Sequence, residues 1–276
     1  MQVKEYNIDD ISTKSIIKDY KKNNSNIFRI SFKYECKKEK AYKIISSLIE
    51  DEFTASSVTE DGNKEDKYIT LDIYKRTKRK LVYPETDNHF DKSKDRYQYH
   101  TLLAAQAHIT KYRNAIDIGG HIGIYSAALS EIFNVTAFEP SPINYKCYEK
   151  NVPNATLHKC GLGNKNEILK LSLDENNTGN NSIVEDIGVN KIDIPIKRLD
   201  DFNFKDIDLI KIDVQGFEEQ VLLGSKETIM REKPILIIEV ITHKNMPPNE
   251  LILKIMKDFN YKVLSIIGKD YIFGAK

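Results

Sequence analysis

From residue 97 onward, short and almost wholly apolar runs alternate with longer stretches whose apolar residues recur every three or four positions. That alternation predicts buried parallel strands separated by amphipathic helices. The apolar runs cover residues 115–118, 134–138, 155–160, 207–213 and 234–240. Helical spacing is predicted over 97–112, through Ile122, Tyr125, Ala128, Leu129 and Ile132, from near Pro142, and from Phe217 to about Met230. The chain closes with strands at 261–267 and 271–274 around a Gly268-Lys269-Asp270 turn, which predicts a terminal hairpin.

The first third has a different pattern. Residues 27–34 alternate as a half-buried strand, and 37–52 carry one helical stripe of Ala41, Ile44, Ile45, Leu48 and Ile49. Strands are predicted at 53–59, 68–74 and 81–83, with a turn at Asp61-Gly62-Asn63. This β-α-β-β order predicts a small α+β accessory unit over residues 1–95. A polar stretch at 87–96 separates it from an α/β, Rossmann-like domain over 96–276.

The chemistry gathers where strands end. Asp117 is followed by Ile118-Gly119-Gly120-His121-Ile122-Gly123. Glycines there let backbone approach a ligand and turn sharply between strand and helix. A dinucleotide frame anchored on Gly120 and Gly123 requires glycine at position 118, where the chain has Ile118. The looser Gly-Gly-x-x-Gly form fits S-adenosylmethionine, although a plain strand–helix turn has the same form.

The next strand ends in Glu139-Pro140-Ser141-Pro142. Its carboxylate either accepts from two ribose hydroxyls or caps the following helix. Cys160 and Gly161 fall at the third strand's end, on the expected adenine side, and a turn is predicted at Gly161-Leu162-Gly163. Asp213 ends the fourth strand, placed to hold the methionine amino group, to reach the acceptor, or to cap a helix. The cofactor-binding candidates are thus Asp117, Gly119, Gly120, His121, Ile122, Gly123, Glu139, Pro140, Ser141, Cys160, Gly161 and Asp213. For an acceptor that must lose a proton, the catalytic candidates are Asp213 and His243, with Glu239 placed to orient His243 or line the acceptor pocket.

Several ordered segments together resemble the FkbM family of methyltransferases. They are the run from Asp117 to Gly123, Phe138-Glu139-Pro140, Ile194-Pro195-Ile196-Lys197-Arg198-Leu199-Asp200-Asp201, the run from Ile210 to Glu218, and Val221-Leu222-Leu223-Gly224-Ser225. Gln215 departs from the pattern, where that family often carries glutamate. The resemblance implies a class I methyltransferase sheet, S-adenosylmethionine as cofactor, and O-methylation of sugar or polyketide hydroxyls. It also implies that the polar loop at 174–190 lies beside the cofactor, making Asn181 and Ser182 candidate contacts.

Composition narrows the alternatives. Lys+Arg at 42 against Asp+Glu at 41 leaves a formal charge of +1, so no global field draws nucleic acid. The local basic run from Lys75 to Lys80 keeps an RNA acceptor open, and is otherwise read as a solvated hairpin tip. The three cysteines, Cys36, Cys147 and Cys160, are too dispersed for a metal or disulfide framework and read as reduced thiols. No histidine pattern suggests a metal. The polar start and the lack of long apolar runs predict a cytoplasmic chain without a membrane span. The leading expectation is a methyltransferase acting on a hydroxyl of a small molecule or glycan. An RNA methyltransferase and a non-catalytic module that binds the cofactor are the rivals, and oligomeric state is not encoded in any recognisable way.

Overall fold

A computed structural model describes residues 67–73, 77–87, 99–174, 176–185, 190–240 and 248–276. The strands and helix expected at 27–59, the turn at 61–63, Cys36 and His243 lie outside these residues.

The strands are β1 (Lys67–Ile73), β2 (Thr77–Tyr83), β3 (Asn114–Ile118), β4 (Asn134–Phe138), β5 (Thr156–His158), β6 (Gly161–Leu162), β7 (Glu167–Ser172), β8 (Lys191–Lys197), β9 (Ile207–Ile212), β10 (Ile235–Glu239), β11 (Tyr261–Ile267) and β12 (Asp270–Ala275). The helices are α1 (Tyr99–Gln106), α2 (Ile124–Leu129), α3 (Pro142–Asn151), α4 (Glu218–Leu223), α5 (Lys226–Glu232) and α6 (Pro248–Asp258).

The main sheet has seven strands in the order β11-β12-β10-β9-β3-β4-β5. β12 pairs antiparallel with both neighbours, whereas the pairs β10·β9, β9·β3, β3·β4 and β4·β5 are parallel. This is the mostly parallel, Rossmann-like sheet with a C-terminal antiparallel hairpin that the apolar runs predict. Ile116, Ile118, Ile210, Ile212, Leu236 and Ile238 share one buried cluster on one face of the sheet, and Ala115, Leu209 and Ile237 are buried on the other, so the parallel strands at its centre are covered on both faces. Winding reverses between β3 and β9. At such a switch point the two following loops part and leave a crevice beyond the carboxyl ends.

Several local expectations need correction. β6, β7 and β8 form a second, three-stranded sheet in the order β6-β8-β7, so Gly161 and Leu162 are strand residues and not a turn. The helix expected from Phe217 to Met230 is two helices. They part at Gly224, where a Cβ would lie 1.8 Å from the Gly163 carbonyl oxygen, an approach that glycine allows. The helix expected at 97–112 spans only Tyr99–Gln106, and the second helix ends at Leu129, before Ile132. Most of the basic run lies within β2, where Lys78, Arg79 and Lys80 pair along β1, and does not form the hairpin tip.

The chain divides into two compact units, one of residues 1–54 and 96–110, the other of residues 55–95 and 111–276. The boundary expected at 95/96 therefore differs from this division, which groups β1 and β2 with the main sheet. The Asn151 side chain explains the attachment. Its Oδ1 accepts from the Val82 amide at 2.6 Å and its Nδ2 donates to the Val82 carbonyl at 2.8 Å, as an adjoining strand would. α1 belongs to the other unit.

Candidate active site

The glycine turn is shaped by its neighbours across the crevice. Gly119 has φ 82°, and a Cβ there would lie 1.8 Å from the Asp213 carbonyl oxygen. The Asp213 amide donates to the Ile118 carbonyl at 3.0 Å, so the β3·β9 pairing continues one step past the strands and the two backbones meet at the base of the loops before these part. Gly120 does not face the crevice, contrary to the sequence reading. It is buried, and a Cβ there would press on the Tyr148 ring at 3.0 Å and the Ala137 Cβ at 3.4 Å. Gly123 caps the N-terminus of α2 with φ 92°.

Glu139, at the tip of β4, is 5% exposed and locked in place. Its Oε2 accepts from the His121 amide at 2.8 Å, and its Oε1 accepts from the Ser141 amide at 2.9 Å. The Asn144 Nδ2 approaches Oε1 at 3.5 Å. The carboxylate thus stabilises the start of α3, as a capping role requires. Two carboxylate oxygens offer about four acceptor sites, so capacity for further donors persists. Burial raises its pKa to about 7 against the opposing pull of the Ser141 and His121 amides.

Asp117 is fully buried. Its Oδ2 accepts from the Ser126 hydroxyl at 2.6 Å, while its Oδ1 has no hydrogen-bond partner. The Asn144 Oδ1 is likewise buried without a partner. Two orphaned acceptors beside Glu139 fit a ligand that brings hydroxyl or ammonium donors, because burying them unpaired costs about 1–3 kcal/mol each.

A line of ionisable groups runs across β3, β9, β10 and β12. Asp117 stands opposite Lys211 in the β3·β9 register, and Asp213 lies two residues beyond Lys211 on the same face. The Lys211 ammonium donates to Asp213 Oδ2 at 2.9 Å and sits 4.5 Å from the centre of the Tyr125 ring. The Gln215 amide donates to Asp213 Oδ1 at 2.9 Å and to Glu239 Oε2 at 3.0 Å. Asp270, buried on β12, pairs with Glu239 in register.

These neighbours split the two carboxyls. Burial pushes Asp213 upward, yet the Lys211 charge outweighs it and holds the acid at about 2. Burial and then the Asp213 charge raise Glu239 to about 8, so the pair's proton resides on Glu239. For Lys211 burial works downward, and the Asp213 and Asp117 carboxylates overcome it, keeping the ammonium charged.

A pH dependence follows from the signs. Glu139 and Glu239 bind protons more tightly folded than unfolded, where a glutamate titrates near 4.5. Their contribution is full below about pH 4.5 and is lost as pH rises through about 7 and 8. Glu239→Gln is expected to flatten the decline in unfolding midpoint between pH 5 and 8. Parallel melting curves for variant and wild type across that range would contradict the assignment.

The loop at 174–185 frames the crevice on its other side. The Asn181 Nδ2 donates to the Ser141 Oγ at 3.2 Å, and the Ser182 Oγ donates to the Gln215 carbonyl at 3.1 Å. One short segment therefore joins the tip of β4 to the loop after β9. Ser182 also bridges to Ser172 on β7, and a 3₁₀ turn covers Thr178–Asn180.

Other candidates fall elsewhere. Cys160 is buried in the main apolar cluster, where burial pushes its thiol pKa up. Gly161 is covered by Ile196, against whose Cδ1 a Cβ would lie at 2.7 Å. Cys147 and Cys160 are both buried, and neither is in a disulfide. Sequence reasoning missed Lys211, Gln215 as a bridge, Asn144, Thr178 and Asp87. Among the described residues no cluster of His, Cys, Asp and Glu is arranged to hold a metal, and no helix is long and apolar enough to cross a membrane.

A family model described as the methyltransferase FkbM domain matches residues 117–263. The chain is 27% identical over 141 residues to Methyltransferase 1 of Beauveria bassiana (strain ARSEF 2860), covering 40% of this chain and 57% of that one. It is 27% identical over 155 residues to methyltransferase sdnD of Sordaria araneosa, covering 41% and 60% respectively. It thus spans less than two thirds of the length of these curated relatives. Among solved structures, methyltransferase FkbM from Methylobacillus flagellatus KT is 20% identical, with 65% of this chain and 55% of that chain covered and a TM-score of 0.43.

Proposed function

The chain belongs to the FkbM methyltransferase family, and from that premise we propose that it transfers a methyl group from S-adenosylmethionine to a hydroxyl of a small molecule or glycan. The observation that carries the reading is Glu139, held at the tip of β4 by the His121 amide of the glycine turn. In this reading Glu139 receives the ribose hydroxyls, and Asp117, Gly119, His121, Ile122 and Gly123 line the turn around the cofactor. Pro140, Ser141, Asn181 and Ser182 border the same crevice. When bound, the cofactor supplies an electrophilic methyl on a sulfonium centre.

The acidic line divides the remaining work. Asp213, ionised at any physiological pH, is a weak base and acts as an anchor for a cationic amino group or an acceptor hydroxyl. Glu239, raised to about 8, is matched to taking the acceptor's proton, because a base near the working pH is the most effective. Gln215 keeps the two carboxyls side by side.

Two measurements test this. Label from methyl-tritiated S-adenosylmethionine is expected in hydroxylated small-molecule or glycan pools and not in RNA. Label in RNA alone would replace the acceptor reading, and bound cofactor with no label in any pool would favour a non-catalytic module. Glu239→Gln is expected to lower transfer roughly 100-fold. The wild-type rate is expected to climb as pH approaches about 8, where Glu239 loses its proton. An unchanged rate in the variant would remove Glu239 as the base.

A further inference from the structure

Asp87, Thr178 and His121, distant in sequence, form one hydrogen-bonded chain beside the glycine turn. The Thr178 amide donates to Asp87 Oδ2 at 2.9 Å, and its hydroxyl donates to the same oxygen at 2.7 Å. A hydroxyl has one hydrogen, so the Thr178 Oγ1 accepts from the His121 Nε2, 2.9 Å away, which places a proton on that nitrogen. Asp87 is 0% exposed and Thr178 2%, so little water competes for these bonds.

His121 needs such support. Its φ is 50°, a left-handed conformation that costs a residue with a Cβ about 1–2 kcal/mol. That conformation aims its backbone amide at Glu139. The adjoining Ile122 carbonyl is held as well, by the Asn151 Nδ2 at 2.6 Å, the same side chain that clasps Val82. Residues 82–87 thus reach two consecutive residues of the turn, His121 through Thr178 and Ile122 through Asn151.

We propose that Asp87 and Thr178 are positioning residues for the cofactor site, fixing the His121 ring and through it the amide that orients Glu139. The inference rests on the reading of Gly119–Gly123 and Glu139 as that site. It makes the segment after β2 part of the cofactor-binding machinery, although it precedes the family-matched residues 117–263.

Calorimetric titration of the full chain with S-adenosylhomocysteine tests it. Thr178→Val keeps the side chain's shape and deletes the hydroxyl, and is expected to weaken binding about tenfold with unchanged stoichiometry. Thr178→Ser restores the hydroxyl and is expected to bind within about twofold of wild type. A merely structural role would lower the competent fraction and leave Kd alone, so wild-type Kd in Thr178→Val overturns the proposal. Where Thr178→Val does not fold, His121→Phe breaks the chain from its other end. Weakened binding in that variant then supports the relay, and wild-type Kd overturns it. A wild-type chain that binds no S-adenosylhomocysteine overturns the cofactor reading itself, and the relay with it.

Discussion

Gly119→Ala is expected to abolish binding of S-adenosylhomocysteine and to lower the unfolding midpoint by about 10 °C. The added Cβ would lie 1.8 Å from the Asp213 carbonyl oxygen, on backbone that cannot swing aside as a side chain would. The φ of 82° adds the left-handed penalty of about 1–2 kcal/mol for a residue with a Cβ. Relief requires the loops after β3 and β9 to separate, which breaks the bond from the Asp213 amide to the Ile118 carbonyl. A total near 3 kcal/mol corresponds to that shift for a domain of this size. Calorimetry and thermal melting read the two effects together. Wild-type affinity in a folded Gly119→Ala chain would show that the contact between these loops does not shape the site.

Lys211→Met carries the second large effect, a loss of about 2–3 kcal/mol at neutral pH. Removing one partner of a buried ion pair costs about 3–5 kcal/mol, and the 30% exposure of the Asp213 side chain reduces that figure. The substitution leaves Asp117, buried with only Ser126 bonded, and Asp213 without their shared cation. The pH signature separates this cause from simple repacking. Asp213 is held at about 2 when folded against 3.8 ordinarily, so its contribution is present above about pH 4 and lost as pH falls through 2. The deficit of Lys211→Met is therefore expected to be full at pH 7 and to shrink toward pH 2, measured by urea unfolding. A deficit independent of pH would assign the loss to the aliphatic stem and the Tyr125 contact.

The two variants probe features of unequal legibility. The central strands were readable because β3, β4, β9 and β10 are covered on both faces and appear as continuous apolar runs. β7 and β8 were not, since β7 buries only Leu171 and Ser172, and Pro195 interrupts β8, which argues locally against a strand. Asp117, Glu139 and Asp213 were found because acids at the carboxyl ends of parallel strands follow from the topology. Lys211 sits inside a strand otherwise read as buried, and a lysine there requires a partner acid on the same face, a signal the sequence reading does not use. Asp87 and Thr178, 91 positions apart, leave no local pattern, because only the folded chain brings them into contact. Gly120 shows the opposite error, a motif residue whose missing side chain makes room for Tyr148 and not for a ligand.

In the proposed function, S-adenosylmethionine sits in the crevice between the ends of β3, β4 and β9. A crystal structure of the full chain with S-adenosylhomocysteine tests that most directly. The predicted density lies over the glycine turn, with both ribose hydroxyls on Glu139 and the amino end toward Asp117 or Asp213. Ligand bound elsewhere, or a crevice left empty at saturating concentration, would contradict it.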